Sequence, residues 1–210
     1  MERIKRKMPK KRKGDPKKGG KFERDVSRQL SLWWTEGEDS DTIWRTVSSG
    51  ARFTNRSKKF RADIAHEAGD LKATKPIAEP LFKYFLMELK RGRNDELDLL
   101  DLFDRKTVTT YKHKPYIQQV WEKAEKEAAF CRRSQVLIIF QRTRREPMCI
   151  LTMNAWANIF TPGSCSEANP AFSSQFRIGE NLVIMMRLEE FILHSDPEGV
   201  REALLEQEYA

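Results

Sequence analysis

The sequence predicts an α/β fold in which a mixed central sheet is flanked by helices. Three observations support this: a periodic apolar helix near the start, short apolar strand patterns further on, and a second strongly periodic helix among those strands. Strands that alternate with helices are typical of a sheet covered by helices. The predicted order of elements is α, β, β, α, β, β, β and α.

The first predicted helix covers residues 21–34. Its apolar stripe has helical spacing and consists of Phe22, Val26, Leu30 and Trp33. Glu23 borders this stripe rather than the solvent face. A carboxylate in that position needs a partner, a metal ion or an exposed edge.

An apolar, aromatic-rich run over 81–90 predicts a strand. Its period of two places alternate residues on one face, namely Phe82, Tyr84, Leu86, Glu88 and Lys90. A mostly apolar face that ends in Glu and Lys is unusual for a core strand. It is typical of a site at the mouth of a sheet.

The remaining elements are predicted from the same two periodicities. They are a short strand and turn over 42–53, a strand end over 67–73, a connector over 76–80, helices over 96–103 and 116–131, strands over 135–140 and 148–153, a loop over 161–174, a strand over 181–187, and helices over 188–193 and 197–208.

Composition predicts one water-soluble domain. The 210 residues have a mean hydropathy of −0.68 and are 33% charged, and no apolar run approaches the roughly 20 residues of a membrane span. The start of the chain lacks the apolar segment of a secretory signal. Three cysteines without C-x-x-C spacing argue against a zinc site. We expect a cytoplasmic protein, or a nuclear one if the source is eukaryotic.

Positive charge is concentrated at the start of the chain. Residues 1–21 contain eleven Lys or Arg and two acidic residues, a net charge of +9, so residues 22–210 come to about −1 of the total of +8. Such a run predicts a disordered basic tail over 1–20, followed by a folded domain over 21–194 and a C-terminal helix over 195–210. The tail would bind phosphates without sequence preference, or only aid solubility.

Asp70, Glu88 and Lys90 are residue types that can hold a hard cation beside a phosphodiester. Mg²⁺ prefers oxygen ligands and retains several waters. The two carboxylates would supply two ligands and the Leu89 carbonyl a third. Lys90 would help to activate water or stabilise developing charge, and Glu23 would enter directly or through a water. The Glu-x-Lys spacing alone also fits a surface ion pair.

A basic segment follows the first predicted strand and is interspersed with aromatic residues. Its candidate DNA contacts are Arg45, Ser49, Arg52, Arg56, Lys58, Lys59 and Arg61. Basic and aromatic side chains together suit contacts with phosphates and bases. A solvated loop is the alternative interpretation.

Gly69-Asp70, Glu88-Leu89-Lys90 and the upstream acidic helix resemble the PD-(D/E)XK nuclease superfamily over about residues 21–153. Trp44-Arg45 and Ser49-Gly50 resemble its Holliday-junction-resolvase-like and phage-type members. The resemblance implies a restriction-endonuclease-like core. It further implies that Asp70 and Glu88 are metal ligands, Lys90 the catalytic lysine and Glu23 a supporting acid.

Two positions depart from the superfamily pattern. Gly69 precedes Asp70 where many members have Pro. Many members also carry a Gln on the second helix, facing the site. In this sequence Lys123 takes that position and Gln119 lies one turn earlier, so both are candidate DNA contacts.

The resemblance implies a Mg²⁺-dependent DNA endonuclease, with Mn²⁺ able to substitute. We expect a structure-selective enzyme that acts on Holliday junctions or other branched DNA in recombination or repair. A symmetric junction favours a homodimer that makes paired cuts. The alternatives are a nucleic-acid-binding protein of the same fold that does not cut, and a restriction or end-processing nuclease.

Overall fold

A computed structural model of the chain describes residues 16–46, 68–92, 115–161 and 173–208 and has a mixed α/β architecture. The helices are α1 (Pro16–Trp34), α2 (Glu79–Tyr84), α3 (Tyr116–Phe130), α4 (Met153–Ala155), α5 (Leu188–His194) and α6 (Pro197–Glu208). A 3-10 turn (Pro76–Ala78) precedes α2, and a π-helical turn (Trp156–Phe160) continues α4. The strands are β1 (Ile43–Arg45), β2 (Leu71–Ala73), β3 (Phe85–Arg91), β4 (Gln135–Gln141), β5 (Met148–Thr152), β6 (Ser173–Ile178) and β7 (Asn181–Arg187).

Five strands form the central sheet in the order β3-β4-β5-β7-β6. β3 and β4 are parallel, with Glu88 opposite Ile138 and Lys90 opposite Phe140. The other neighbours are antiparallel, and β1 and β2 form a separate antiparallel pair. The predicted mixed sheet flanked by helices is confirmed, and β4 and β5 form an antiparallel hairpin within it.

Helices cover both faces of the sheet. On one face, residues of α1, α5 and α6 pack with Phe85, Met87 and Leu89 of β3. On the other face, α3 packs against Leu86 and the alternate residues of β4. Because successive strand residues point to opposite faces, Glu88 lies on the α3 side of β3.

Hydrogen bonds at the end of α1 fix this helix, and with it Glu23, against the rest of the fold. The indole N–H of Trp33 donates to the Ser195 carbonyl at 2.9 Å, and that of Trp34 donates to the Ile77 carbonyl at 2.9 Å. Arg201 of α6 donates to the Trp34 carbonyl at 2.6 Å. The first and last described helices are therefore joined.

The prediction of a strand over residues 81–90 is wrong for its first half. Phe82 and Tyr84 belong to α2, and the strand begins only at Phe85. Pro80 lies in the first turn of α2, where its fixed φ suits a helix start. A short apolar run does not distinguish a buried helix from a strand, so periodicity alone extended the strand too far.

Other boundaries differ from the prediction by a few residues. α1 begins at Pro16, five residues early, and β5 ends at Thr152. The Thr152 hydroxyl accepts a hydrogen bond from the Ala155 N–H at 3.1 Å and so caps α4. β6 begins at Ser173, inside the predicted loop. Half of its residues are exposed, and its sequence gives little strand signal.

Some predictions lie outside the described residues. These are the predicted helix over 96–103, the predicted turn over 48–50 and residues 1–15 of the basic tail. In the part of the chain that the structure describes, no helix has the length and apolar character needed to cross a membrane.

Candidate active site

Asp70 lies against the edge of β3, immediately before β2. Its N–H donates to the Met87 carbonyl at 2.8 Å, and its Oδ2 accepts from the Leu89 N–H at 2.8 Å. The Thr46 N–H donates to the Asp70 carbonyl at 2.9 Å. The main chain and the carboxylate of Asp70 are therefore both held by backbone groups. Its side chain is 9% exposed.

Gly69 allows this close approach to β3. Its φ of +78° lies in the left-handed region, and a β-carbon there would be 2.7 Å from the Met87 carbonyl oxygen. Each condition alone favours glycine. Proline, with φ fixed near −65°, does not fit this backbone, which explains why this chain has Gly where many superfamily members have Pro.

The ammonium of Lys90 lies among three oxygen atoms. It pairs with Oε1 of Glu88, lies 3.7 Å from Oδ2 of Asp70 and donates to the Leu89 carbonyl at 3.1 Å. The Glu88 side chain is only 8% exposed. The structure thus brings together four groups named from the sequence: the two carboxylates, the Leu89 carbonyl and the lysine.

Negative charge is only partly balanced in this cluster. Burial, and then the neighbouring charge of Glu88, raise the pKa of Asp70 to about 7, against the opposing effects of Lys90 and the Leu89 N–H. Burial lowers the pKa of Lys90, but the two carboxylates outweigh it, and the net shift is upward. Lys90 is therefore positively charged at neutral pH, and a second cation would relieve the remaining repulsion.

The replacement Asp70→Asn is expected to stabilise the metal-free protein at alkaline pH. The pKa of Asp70 is raised from 3.8 to about 7 by folding, so the folded state binds this proton more tightly than the unfolded state. The free energy of unfolding therefore falls as the pH rises from the unfolded-state pKa of 3.8 to the folded-state pKa of about 7. Above pH 7 the ionised Asp70 lowers it by the full amount, about 2–4 kcal/mol. Asparagine keeps an acceptor for the Leu89 N–H and avoids the cost.

Thermal unfolding in EDTA tests this expectation. At pH 8 the Tm of the variant should exceed that of the wild type by about 5–10 °C. Near pH 4 the two values should converge, because the wild-type carboxyl is then protonated as well. A Tm difference that is the same at both pH values would contradict the prediction.

The donor atoms suit a hard divalent cation. Asp70 and Glu88 offer carboxylate oxygens and Leu89 a carbonyl, and the Lys90 ammonium lies within 4 Å of an oxygen of each. Among the described residues, no three His, Cys, Asp or Glu side chains form a metal-binding group. Two carboxylates suffice for Mg²⁺, which usually retains several waters.

Glu23 lies beside this cluster, where it pairs with an arginine. Its Oε2 is 3.5 Å from Nη1 of Arg45, and its charge contributes to the raised pKa of Asp70. Arg45, a predicted DNA contact, therefore has an intramolecular partner, although its side chain is 38% exposed. Glu23 contributes to the field at the site from α1.

α3 presents a second lysine to the cluster. Nζ of Lys123 is 4.0 Å from Oε1 of Glu88, and its side chain is 57% exposed. Gln119, one turn earlier on α3, is also exposed. The helix register predicted from the sequence therefore agrees with the geometry, and Lys123 is a cation at the mouth of the site.

Six predicted DNA contacts have no structural description. They lie outside the described residues and are Ser49, Arg52, Arg56, Lys58, Lys59 and Arg61.

Three contacts that hold the Asp70 segment were missed in the sequence. Oε1 of Glu127 accepts from the Gly69 N–H at 3.0 Å, and Nη1 of Arg133 donates to the Ala68 carbonyl at 3.0 Å. The Thr46 hydroxyl donates to the Gly69 carbonyl at 2.9 Å. The first two link segments that are 58 and 65 residues apart in the chain. Local sequence patterns do not predict contacts at such separations.

The fold and the cluster together define the class of the protein. An acidic helix, a Gly-Asp segment, a Glu-x-Lys strand, a helix and a parallel strand follow one another as in a restriction-endonuclease-like core. The model of the family described as "Phage putative PDDEXK endonuclease" matches residues 14–201. The chain belongs to this family, so the phage-type resemblance and the fold class are confirmed.

Membership assigns the protein to the nucleases, which act on phosphodiester bonds. Nucleases of the PD-(D/E)XK superfamily generally use divalent metal ions, in agreement with the oxygen donors around Lys90. No curated protein and no solved structure is significantly similar to the chain.

Proposed function

We propose that the protein is a Mg²⁺-dependent endonuclease that cuts DNA, with Mn²⁺ able to replace Mg²⁺. The observation that carries this proposal is the contact of one ammonium with oxygens of Asp70, Glu88 and Leu89. A bound divalent cation would neutralise charge on the phosphate and make a water more acidic. Both are requirements of phosphodiester hydrolysis.

The protein groups have distinct roles in this proposal. Asp70, Glu88 and the Leu89 carbonyl would hold the cation, and the Leu89 N–H keeps Asp70 oriented before any ligand arrives. Lys90 and Lys123 place two positive charges beside Glu88. There they would contact the phosphate, orient the attacking water and stabilise the charge that develops in the transition state.

We further propose that the substrate is branched DNA, such as a Holliday junction, and that the protein acts as a homodimer in recombination or repair. The resemblance of Trp44-Arg45 and Ser49-Gly50 to resolvase-like members supports the substrate. A twofold-symmetric dimer would place two sites on a symmetric junction. The basic tail would add phosphate contacts that do not depend on sequence.

A protein of this fold that binds nucleic acid without cutting it is the second candidate. The burial of Asp70 and Glu88 argues against it, because two buried carboxylates reduce stability and repel phosphate. Binding alone would gain nothing from them. A restriction or end-processing nuclease would share the chemistry and differ only in substrate.

A cleavage assay with four labelled DNAs separates these candidates. The wild type is incubated with a four-way junction, a flap, a single strand and a linear duplex, in Mg²⁺ and in EDTA. We expect cleavage only with Mg²⁺, with paired symmetric nicks in the junction. Lys90→Ala should slow cleavage by roughly 100-fold or more, whereas Lys75→Ala, which removes an exposed lysine from the Asp39 pair, should not.

Each component of the proposal has its own contrary result. Binding of every DNA with cleavage of none would reject the enzyme. Equal cleavage of duplex and junction would reject structure selectivity but keep the nuclease. A monomer on the junction in sedimentation measurements would reject the dimer.

A further inference from the structure

A basic cavity of about 630 Å³ lies just beyond the C-terminal end of α3 and is lined there by residues of β2 and α2 as well. Its charged lining comprises four cations and one acid: Lys72, Lys83, Arg132, Arg133 and Glu79. The volume is that of a ligand site rather than a packing defect. The excess of positive charge selects for an anion.

Two of these cations are available for a ligand. Within the described residues, neither Lys72 nor Arg132 makes an ion pair, and the Arg132 side chain is exposed. Arg133, in contrast, is buried and donates to the Ala68 carbonyl. The cavity therefore combines one fixed guanidinium with two charges that have no described acidic partner.

Arg132 has a left-handed backbone conformation, which favours glycine over arginine. It follows the end of α3 with φ of +58°, and the next N–H, that of Arg133, donates back to the Ala128 carbonyl at 2.8 Å. This is a helix end at which glycine is the usual residue, since a β-carbon is disfavoured there. Arg132 therefore occupies a position at which glycine would cost less, so its replacement by glycine removes the charge without straining the backbone.

The cavity is continuous with the segment that carries Asp70. Lys72 lies in β2 and follows Asp70 by two residues, which corresponds to about 7 Å of extended backbone. Arg133 holds Ala68, two residues before Asp70. Successive phosphates of one DNA strand are separated by six backbone bonds and also lie about 7 Å apart, whereas 3.4 Å is only their spacing projected on the helix axis. A strand cut beside Asp70 would therefore place a neighbouring phosphate near Lys72.

We propose that this cavity is a phosphate-binding subsite, which holds a phosphate of the cleaved DNA strand one or two nucleotides from the scissile bond. The inference rests on the proposed function. It adds the path of the DNA strand, which would run from Asp70, Glu88 and Lys90 along β3 toward α2. Arginine and lysine are the side chains that bind phosphate oxygens most directly. The ligand chemistry is a phosphate group, and its source is the DNA strand rather than a free nucleotide.

Binding without cleavage tests the subsite. Fluorescence anisotropy of a labelled single-stranded oligonucleotide is measured in EDTA at several salt concentrations. For Arg132→Gly and Lys72→Gln we expect a several-fold rise in Kd and a salt slope lower by about 1 for each variant. Arg177→Gln removes a charge from β6 at the far edge of the sheet and should leave both values unchanged.

Stability provides a second measurement on the same variants. Arg132→Gly should unfold at the wild-type Tm or about 2–4 °C above it, because glycine relieves the left-handed position. Weaker binding by a variant that is at least as stable cannot come from misfolding. Wild-type affinity in Arg132→Gly, equal losses in Arg132→Gly and Arg177→Gln, or a Tm several degrees lower would each overturn the proposal.

Alkylation of Cys131 identifies the source of the phosphate. This half-buried thiol lines the cavity, so its reaction with N-ethylmaleimide, followed by mass spectrometry, reports occupancy. We expect protection by an eight-nucleotide strand and none by inorganic phosphate or a nucleoside monophosphate at the same concentration. Protection by the free nucleotide alone, or by none of the three, would overturn the assignment to the strand.

The outcomes for enzyme and subsite are distinguishable. DNA that binds through Arg132 but is not cut in Mg²⁺ would reject the enzyme and keep the subsite. DNA that is cut while Arg132→Gly binds like the wild type would reject the subsite and keep the enzyme. Absence of any DNA binding would reject both.

Discussion

Alanine at position 69 is expected to lower the Tm by about 5–15 °C and to remove cleavage activity. The backbone φ of +78° disfavours any residue with a β-carbon, and the new atom would lie 2.7 Å from the Met87 carbonyl oxygen. Strain and overpacking together cost about 2–5 kcal/mol, which sets the Tm range. To relieve the contact, the segment must move away from β3, and the bonds that hold Asp70 would break.

Gly179 provides a matched control for this substitution. It also has a positive φ, +61°, but a β-carbon there would meet no atom within 4 Å. Gly179→Ala therefore carries the conformational cost alone, about 1 kcal/mol, and should cleave DNA at the wild-type rate. Thermal unfolding and cleavage are measured on both variants. A Gly69→Ala protein with a Tm and activity like those of Gly179→Ala would contradict the role of the close approach.

The replacement Glu88→Gln is expected to reduce the cleavage rate more than about 100-fold while DNA binding is kept. Loss of residues that only support a metal ligand costs 10–100-fold, and a direct ligand should cost at least as much. Binding in EDTA should be retained or become tighter, since a carboxylate that repels phosphate is removed. The contrast between lost cleavage and retained binding is what separates a chemical role from a structural one.

Single-turnover cleavage in Mg²⁺ and anisotropy in EDTA measure the two effects of Glu88→Gln. Glu206→Gln, which neutralises an exposed acid on α6, serves as the charge-matched control and should retain full activity. A Glu88→Gln protein that cuts within about threefold of the control would remove Glu88 from the metal-ligand set. A Glu88→Gln protein that binds DNA more weakly and also has a lower Tm would instead indicate a structural role.

The parts of the fold and site that depend on local patterns are predictable from the sequence. Helical spacing defined α3 and its register well enough to place Lys123 near the site. Alternation along β3 put Glu88 and Lys90 on one side, as their ion pair requires. These features depend on residues a few positions apart, so the local periodicity of the sequence predicts them.

The parts that depend on distant contacts are not predictable in this way. α2 was mistaken for the start of a strand, because its apolar residues are buried whether the chain is helical or extended. The anchoring of Asp70 by the Leu89 N–H, and of Gly69 by Glu127, joins segments whose pairing only the folded chain defines. The cavity at Arg132 is lined by residues of β2, of α2 and of the segment after α3, which only the folded chain brings together.

The junction between α1 and α6 has a consequence for synthesis of the protein. Trp33 and Trp34 of α1 bond to Ser195 and Arg201, which follow 162 and 167 residues later in the chain. Chain regions with such distant partners fold slowly and late. On the ribosome, α1 and Glu23 would lack their final support until α6 has emerged, so the site is expected to reach its final arrangement only after that point of translation.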